Sequence, residues 1–203
     1  AYYMDRRDAF QTHLMDPFKR LFHEVADSLS LAVTDLMETE RNLFSRIPKN
    51  DYGRGGAWPW YWGAFYPKGS KRREDVQLIL SINYQKLLFG FCIADYASEC
   101  RERFIHRCKA NRAELEASLQ DVLSDDDFVF ARHQDIVITP DSSVKSESGL
   151  TLREWLERPE AADCSVSVVL PRDRVLTCAQ DELRDRIAES YERLFPLILL
   201  STE

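Results

Sequence analysis

The sequence predicts an α+β fold in which helices flank a mostly antiparallel sheet, in a single domain spanning residues 1–203. Apolar residues recur at steps of three and four near both ends and in the middle of the chain, as helices require. The stretch from about 58 to 93 instead contains short alternating or apolar segments that are typical of strands and a hairpin. A hydrophobic content of 44% is sufficient for a core of this size.

The helices are predicted from apolar periodicity and from capping residues. Tyr3 to about Thr39 has the helical period, and Asp16 before Pro17 indicates a cap, so we expect a short helix and then a longer one. Ser98 is a candidate cap for a helix that reaches about Leu123. Two further helices are predicted at Thr151–Glu157, which contains Trp155, and at Gln180–Leu200.

The strands are predicted from alternation and from short apolar runs. Residues 58–66 alternate in a way that places Trp58, Trp60 and Trp62 on one face. Residues 75–83 and 86–93 are separated by Tyr84 and Gln85, which is hairpin spacing with an unfavoured turn pair. We also expect one or two strands in 127–139, a polar loop at 141–149 and a strand at 165–170.

Charge is distributed unevenly along the chain. The total of 27 Lys and Arg against 34 Asp and Glu gives a net charge of −7, which by itself argues against nucleic acid as a partner. Residues 41–73, however, contain eight basic residues and a single acid, Asp51. The rest of the chain is therefore strongly acidic, and this basic segment predicts a localised anion-binding surface.

Composition also bears on compartment and on membranes. No apolar run approaches the roughly 20 residues that span a bilayer, so we expect no membrane partner. Five cysteines without a C-x-x-C pair, and no secretory signal pattern in the first residues, favour the cytoplasm.

Motifs for catalysis and for cofactors are missing from the sequence. Residues 53–56 (Gly-Arg-Gly-Gly) lack the lysine of a P-loop, and no serine-hydrolase or zinc-protease motif occurs. Cys100 and Cys108 would lie about 12 Å apart along one helix, too far to share a metal ion, so we expect Cys108 in the core and His106 at the surface. Asp125–Asp127 are interpreted as a solvated turn. We therefore predict no catalytic residues, no metal and no cofactor.

The basic segment is also rich in aromatic residues, a combination that suits nucleic acid because cations hold phosphates and rings stack on bases. The alternative is that Tyr61 and Phe65 fill the core while the cations are merely solvated. Three tryptophans on the exposed face of a sheet would form an apolar patch that the fold does not require, which favours binding. The candidate phosphate contacts are Lys49, Arg54, Lys68, Lys71, Arg72 and Arg73, and the candidate stacking residues are Trp58, Trp60, Trp62 and Tyr66.

The same region resembles a known family. Residues 45–58 (SRIPKNDYGRGGAW), 62–69 (WGAFYPKG) and 75–91 are similar to the N-terminal region of McrB-like AAA+ ATPases of modification-dependent restriction systems. The similarity covers about residues 43–107, roughly a third of the chain. It implies a noncatalytic recognition module ahead of an AAA+ motor in the same polypeptide. This module would bind DNA containing modified cytosine and flip the base. The alternatives are a protein-interaction or sensor domain attached to such a motor and, ranked last, a small enzyme.

Overall fold

A six-stranded antiparallel sheet forms the centre of the protein. The computed structural model describes residues 2–48, 56–93, 96–130, 136–138, 144–146, 150–158 and 164–202. The strands are β1 (Met37–Glu38), β2 (Trp60–Pro67), β3 (Val76–Asn83), β4 (Lys86–Ile93), β5 (Phe128–Phe130), β6 (Ile136–Ile138), β7 (Val144–Ser146) and β8 (Val166–Pro171). The strand order of the large sheet is β1-β2-β3-β4-β8-β5, and β6 and β7 form a separate two-stranded sheet.

Helices cover one face of this sheet, and together with it they confirm the predicted α+β class. A π-helical turn at Gln11–Met15 joins the second helix to the third. The helices are α1 (Tyr2–Asp5), α2 (Arg7–Phe10), α3 (Asp16–Ser28), α4 (Leu31–Leu36), α5 (Ser98–Ala110), α6 (Arg112–Ser118), α7 (Gln120–Leu123), α8 (Leu152–Glu157), α9 (Arg172–Thr177) and α10 (Gln180–Thr202).

The helix-covered side, here the inner face, holds the main core. Alternate residues of β3, β4 and β8 point to it, and they join α3, α5 and α10 in one apolar cluster that extends from Tyr3 to Ile198. Tyr61 and Phe65 of β2 belong to this cluster, with exposures of 1% and 0%. The inner aromatic residues of β2 are therefore core, as the alternative interpretation of the sequence expects.

The opposite side, here the outer face, has a smaller apolar cluster. Ile79, Leu88, Cys92 and Val169 form it, and Trp62 packs against them. Val129, Ile138 and Val144 also contact the cluster, so the β6–β7 sheet lies over this part of the face. The outer face is thus covered near its middle, while the end that contains Trp60 is exposed.

The N-terminal helices differ from expectation at Asp16 and Pro17. Asp16 has helical dihedral angles and does not cap the helix, because the chain is already helical at Met15. Proline lacks an N–H and collides with the carbonyl four residues earlier, so an α-helix would break here. The wider π-helical turn before Asp16 keeps the chain helical up to Pro17.

The β3–β4 hairpin is confirmed, and Asn83 accounts for its unusual turn. The Oδ1 atom of Asn83 accepts hydrogen bonds from the backbone N–H of Gln85 at 2.8 Å and of Lys86 at 2.9 Å. This side-chain turn replaces the favoured turn residues that Tyr84 and Gln85 do not provide.

The middle of the chain matches the prediction in part. The helix from Ser98 is broken at Asn111 and at Leu119, which have non-helical dihedral angles, and so becomes α5, α6 and α7. Strand β7 lies within the segment predicted as a polar loop, and α9 was not predicted. The helix after Thr151 is confirmed with a capping box between Thr151 and Glu154. Helix α10 and strand β8 are confirmed as well.

Candidate nucleic-acid interface

Trp58 and Trp60 form an exposed aromatic pair at one end of the sheet. Their ring centres are 5.0 Å apart and the ring planes are inclined by 31°. The two side chains are 43% and 41% exposed, whereas most aromatic residues of the described chain are buried or half-buried. The backbone N–H of Trp58 donates to the carbonyl of Ile47 at 2.9 Å, which anchors the pair beside β2. Two large rings are therefore held at the surface without a role in the core.

Trp62 lies two residues along the same strand and is covered by Arg72. The guanidinium carbon of Arg72 is 4.6 Å from the centre of the Trp62 ring, a cation–π contact. The Nε and Nη1 atoms of Arg72 are shielded from solvent and have no hydrogen-bond partner among the described residues. Burial lowers the pKa of Arg72. In this structure Trp62 therefore offers less open ring surface than Trp58 or Trp60.

A short chain of hydrogen bonds holds the backbone of Arg72 in place. The Nε2 group of Gln77 donates to the carbonyl of Arg72. The thiol of Cys92 in turn donates to Oε1 of Gln77 at 3.4 Å, and Gln77 is 3% exposed. The position of Arg72 above Trp62 is thus fixed from beneath by buried residues of β3 and β4.

The other predicted cations of the β2–β3 loop are exposed, and each has a local contact. Lys68 Nζ donates to the carbonyl of Thr34 at 2.8 Å, and Lys71 Nζ lies 3.0 Å from a carboxylate oxygen of Glu74. The guanidinium of Arg73 lies 4.4 Å from the ring centre of Tyr96. Such exposed contacts contribute little free energy and are readily exchanged for phosphate.

Tyr66 does not offer a stacking surface, which corrects the sequence interpretation. It is 5% exposed, and its hydroxyl donates to the carbonyl of Arg41 at 2.9 Å. Burial raises the pKa of this hydroxyl. By strand alternation alone, Tyr66 would share the face of Trp60 and Trp62. It is buried because it lies near the end of β2, where β1 pairs alongside and helps to enclose it.

Two of the predicted phosphate contacts, Lys49 and Arg54, lie outside the described residues. Lys68, which follows Pro67, and the tryptophan pair lie at opposite ends of β2, whereas the guanidinium of Arg72 reaches back over Trp62. Seven residue steps from Trp60 to Pro67, at about 3.3 Å each, separate the two ends by about 23 Å. Among the predicted cations and stacking residues that the structure describes, Arg72 and Trp62 are in contact.

The acidic run 125–127 has a structural role. Asp125 accepts from Arg193 at 2.7 Å and Asp127 is paired with Arg186, so both carboxylates tie the chain to α10. The hydrogen bond from Arg193 is the chief cause that lowers the pKa of Asp125. An open cavity of about 590 Å³ beside them has mainly acidic walls, which disfavours phosphate; it is lined by Asp121, Ser124, Asp125, Asp126, Glu189 and Arg193.

The expectations for Cys108 and His106 are confirmed, since Cys108 is fully buried and His106 is exposed. Within the described ranges, no group of three or more His, Cys, Asp or Glu residues is arranged to hold a metal ion.

Tyr84 and Arg172 are candidate residues that the sequence did not single out. Tyr84 is 73% exposed at the β3–β4 turn, and Arg172 is exposed at the start of α9. Both lie outside the basic segment 41–73, so a charge count along the chain does not group them with Trp60. Only the pairing of strands brings them to the same end of the sheet.

No protein-family model matches this chain, and no curated protein matches its sequence. Across the described parts of the chain, the helices are too short or too polar to cross a bilayer. The candidate interface therefore rests on the contacts and exposures of the residues described above, and on no related protein.

Proposed function

We propose that this chain is a noncatalytic DNA-recognition domain in which Trp58 and Trp60 stack on an unpaired or flipped base. The observation that carries the proposal is the exposure of both rings, above 40% each, in mutual contact at the end of the sheet. Stacking of a base on an aromatic ring contributes about 1–3 kcal/mol. This stacking free energy is sufficient for a pair of exposed tryptophans to bind an unstacked base in place of water.

The charge distribution supports DNA as the partner. Lys68, Lys71, Arg72 and Arg73 lie together in the β2–β3 loop, within an otherwise acidic chain of net charge −7. A phosphate backbone is attracted to the loop and repelled by the acidic remainder. The same contrast restricts DNA to the part of the surface that includes β2 and its loop.

The resemblance to McrB-like proteins supports the finer parts of the proposal. It favours a restriction or defence role in the cytoplasm, modified cytosine as the base, and an AAA+ motor domain in the same polypeptide as a partner. Base flipping requires a cationic grip on flanking phosphates and a ring surface for the extruded base. Arg72, which lies over Trp62, and the tryptophan pair beside it would supply these two elements, and the other loop cations would hold phosphates further along the strand of DNA.

The proposal is tested by fluorescence anisotropy with the 203-residue chain. The labelled probes are a duplex with methylcytosine, one with hydroxymethylcytosine, the unmodified duplex and the single strand, each at 50 and 200 mM salt. If the four loop cations each contact a phosphate, affinity falls about 100-fold over this fourfold increase in salt. Trp60→Ala is expected to weaken binding at least fivefold.

The control variants carry matched changes outside the interface. Leu31→Ala removes another exposed apolar side chain, and Arg20→Glu reverses an exposed cation on α3. Both are expected to bind as the parent does, apart from a small general effect of charge. Binding that is undetectable at 50 mM salt for all four probes contradicts the proposal.

A protein-interaction or sensor domain is the second candidate, and the exposed tryptophan pair also suits it. The contacts that Lys68, Lys71 and Arg73 already make within the chain favour this candidate, because they show that these cations also have local partners. A partner protein that binds through Trp58 and Trp60 with little dependence on salt, while DNA does not bind, would establish it instead.

A further inference from the structure

The end of the sheet beside Trp60 is formed by four neighbouring strands. Trp60 of β2 pairs with Asn83 of β3, and Lys86 of β4 pairs with Pro171 of β8. Three strand spacings of about 4.8 Å place Pro171 about 14 Å from Trp60. Residues 84 and 172, which follow Asn83 and Pro171 along the chain, therefore lie on one rim with Trp60.

Backbone contacts fix this rim. Asn83 closes the β3–β4 turn through its side-chain oxygen, which holds Tyr84 at the tip of the hairpin. The backbone N–H of Arg172 donates to the carbonyl of Gln85 at 2.8 Å, so the start of α9 is tied directly to that turn. The exposed side chains of Tyr84 and Arg172 are thus presented from an ordered backbone.

We propose that Tyr84 and Arg172 form a second contact region for the DNA bound at Trp60, with Arg172 on a backbone phosphate and Tyr84 against the adjacent nucleotide. This inference rests on the proposed function and extends it to residues outside the basic segment. It assigns the rim of the sheet, rather than the β2–β3 loop alone, to the binding surface.

The positions of the cations give the reason. Pro67, at the far end of β2, is about 23 Å from Trp60 by strand length, and Lys71 and Arg73 follow it in the loop, whereas the guanidinium of Arg72 reaches back to Trp62. Phosphates of one DNA strand repeat about every 3.4 Å along the helix axis, so those next to a base at Trp60 are nearer to the β3–β4 turn than to the start of that loop. Arg172 is an exposed cation on this rim, and Lys86, which pairs with the preceding Pro171, is half-buried. Asp173 follows Arg172 on α9 and limits the net positive charge there.

The test measures anisotropy of a labelled single strand and duplex with Arg172→Glu, Tyr84→Ala and Trp60→Ala, against Arg20→Glu and Leu31→Ala as controls. Arg172→Glu is expected to weaken binding about tenfold at 100 mM salt. It is also expected to reduce the slope of log affinity against log salt by about one. Tyr84→Ala is expected to weaken binding about fivefold. Circular dichroism of each variant confirms that these surface changes leave the fold intact.

The possible outcomes separate this inference from the proposed function. If Trp60→Ala weakens binding while Arg172→Glu and Tyr84→Ala behave as their controls, the rim is not part of the interface and only the inference fails. If the parent chain binds neither probe at low salt, the proposed function fails and the inference with it. Losses in both rim variants, together with the reduced salt slope, establish the second contact region.

Discussion

The guanidinium carbon of Arg72 lies 4.6 Å from the centre of the Trp62 ring, and two of its nitrogens are shielded without a hydrogen-bond partner among the described residues. The cation–π contact is favourable by about 0.5–2 kcal/mol. Leaving each of the two buried donors unsatisfied costs about 1–3 kcal/mol. The cost of the two donors therefore equals or exceeds the gain, so Arg72 covers Trp62 without stabilising the fold.

Arg72→Ala is therefore expected to lower the free energy of unfolding by no more than about 1 kcal/mol. It also exposes the Trp62 ring, and acrylamide quenching of tryptophan fluorescence rises. Urea denaturation and quenching measure the two effects. Arg73→Ala is the matched control, since Arg73 lies over Tyr96, and it leaves the quenching unchanged. A loss above about 3 kcal/mol in Arg72→Ala would show that Arg72 is structural.

Tyr61 predicts a dependence of stability on alkaline pH. Burial is the chief cause that raises the pKa of Tyr61 to about 12, from an ordinary value of 10.0. The unfolded chain therefore loses this proton first, and the stabilising contribution is complete below pH 10 and is lost as pH rises towards 12. Burial also raises the pKa of the Cys108 thiol, from an ordinary value of 9.0 to about 12, so its contribution to stability is likewise lost as pH rises.

Tyr61→Phe removes the ionisable hydroxyl, which is buried and has no hydrogen-bond partner among the described residues. We expect the free energy of unfolding at pH 7 to rise by about 1 kcal/mol and its decline above pH 10 to become shallower. Urea denaturation between pH 7 and 11 measures both quantities. Tyr96→Phe, at an exposed position, is expected to change neither. A lower stability of Tyr61→Phe at pH 7 would contradict this account.

Gly90 predicts a large effect of adding one methyl group. It has φ +155°, and a Cβ atom there would overlap the carbonyl oxygen of Val166 and lie 2.7 Å from Cα of Ser167. The obstacle is the backbone of β8, which cannot rotate away as a side chain can. Gly90→Ala is therefore expected to lower the free energy of unfolding by about 3 kcal/mol.

Gly69→Ala is the comparison for Gly90→Ala. Gly69 has φ +83° but nothing within 4 Å of an added Cβ, so only backbone strain of about 1–2 kcal/mol is expected. Both values come from urea denaturation. Equal losses of stability in the two variants would mean that the backbone of β8 is too far from Gly90 to clash with an added Cβ atom.

Asn83 predicts that the β3–β4 turn depends on one side-chain oxygen. Asn83→Ala removes the acceptor for the N–H groups of Gln85 and Lys86, and we expect a loss of about 1–2 kcal/mol. Hydrogen exchange at these two amides should become faster. Asn83→Asp keeps an oxygen in the same place and should retain most of the protection. If both variants exchange alike, the side chain does not hold the turn.

The elements that were predictable from sequence are those that bury a regular apolar pattern. In β2, Tyr61 and Phe65 enter the core while Trp60 stays outside, so alternation alone separates the two faces. Helix α10 follows from its apolar period in the same way. The prediction of a cap at Asp16 was wrong. A cap-and-proline pattern reflects only neighbouring residues, and it does not reveal the π-helical turn that keeps the helix continuous.

The candidate site was only partly predictable. The exposure of Trp58 and Trp60 follows from the excess of tryptophan, but the burial of Tyr66 depends on β1, which pairs from a distant part of the sequence. The approach of Arg72 to Trp62 depends on a buried hydrogen bond from Gln77. Arg172 reaches the rim only because β8 pairs with β4. Contacts of this kind have no local signature in sequence.

Tryptophan fluorescence of the chain, titrated with an oligonucleotide, tests most directly whether the Trp58–Trp60 pair stacks on a DNA base. Stacking on a base quenches tryptophan emission, so we predict quenching with the same midpoint as anisotropy. We also predict that Trp58→Phe and Trp60→Phe each remove part of it, while Trp155 is fully buried and contributes none. Binding that leaves the emission of the parent chain unchanged would contradict this stacking.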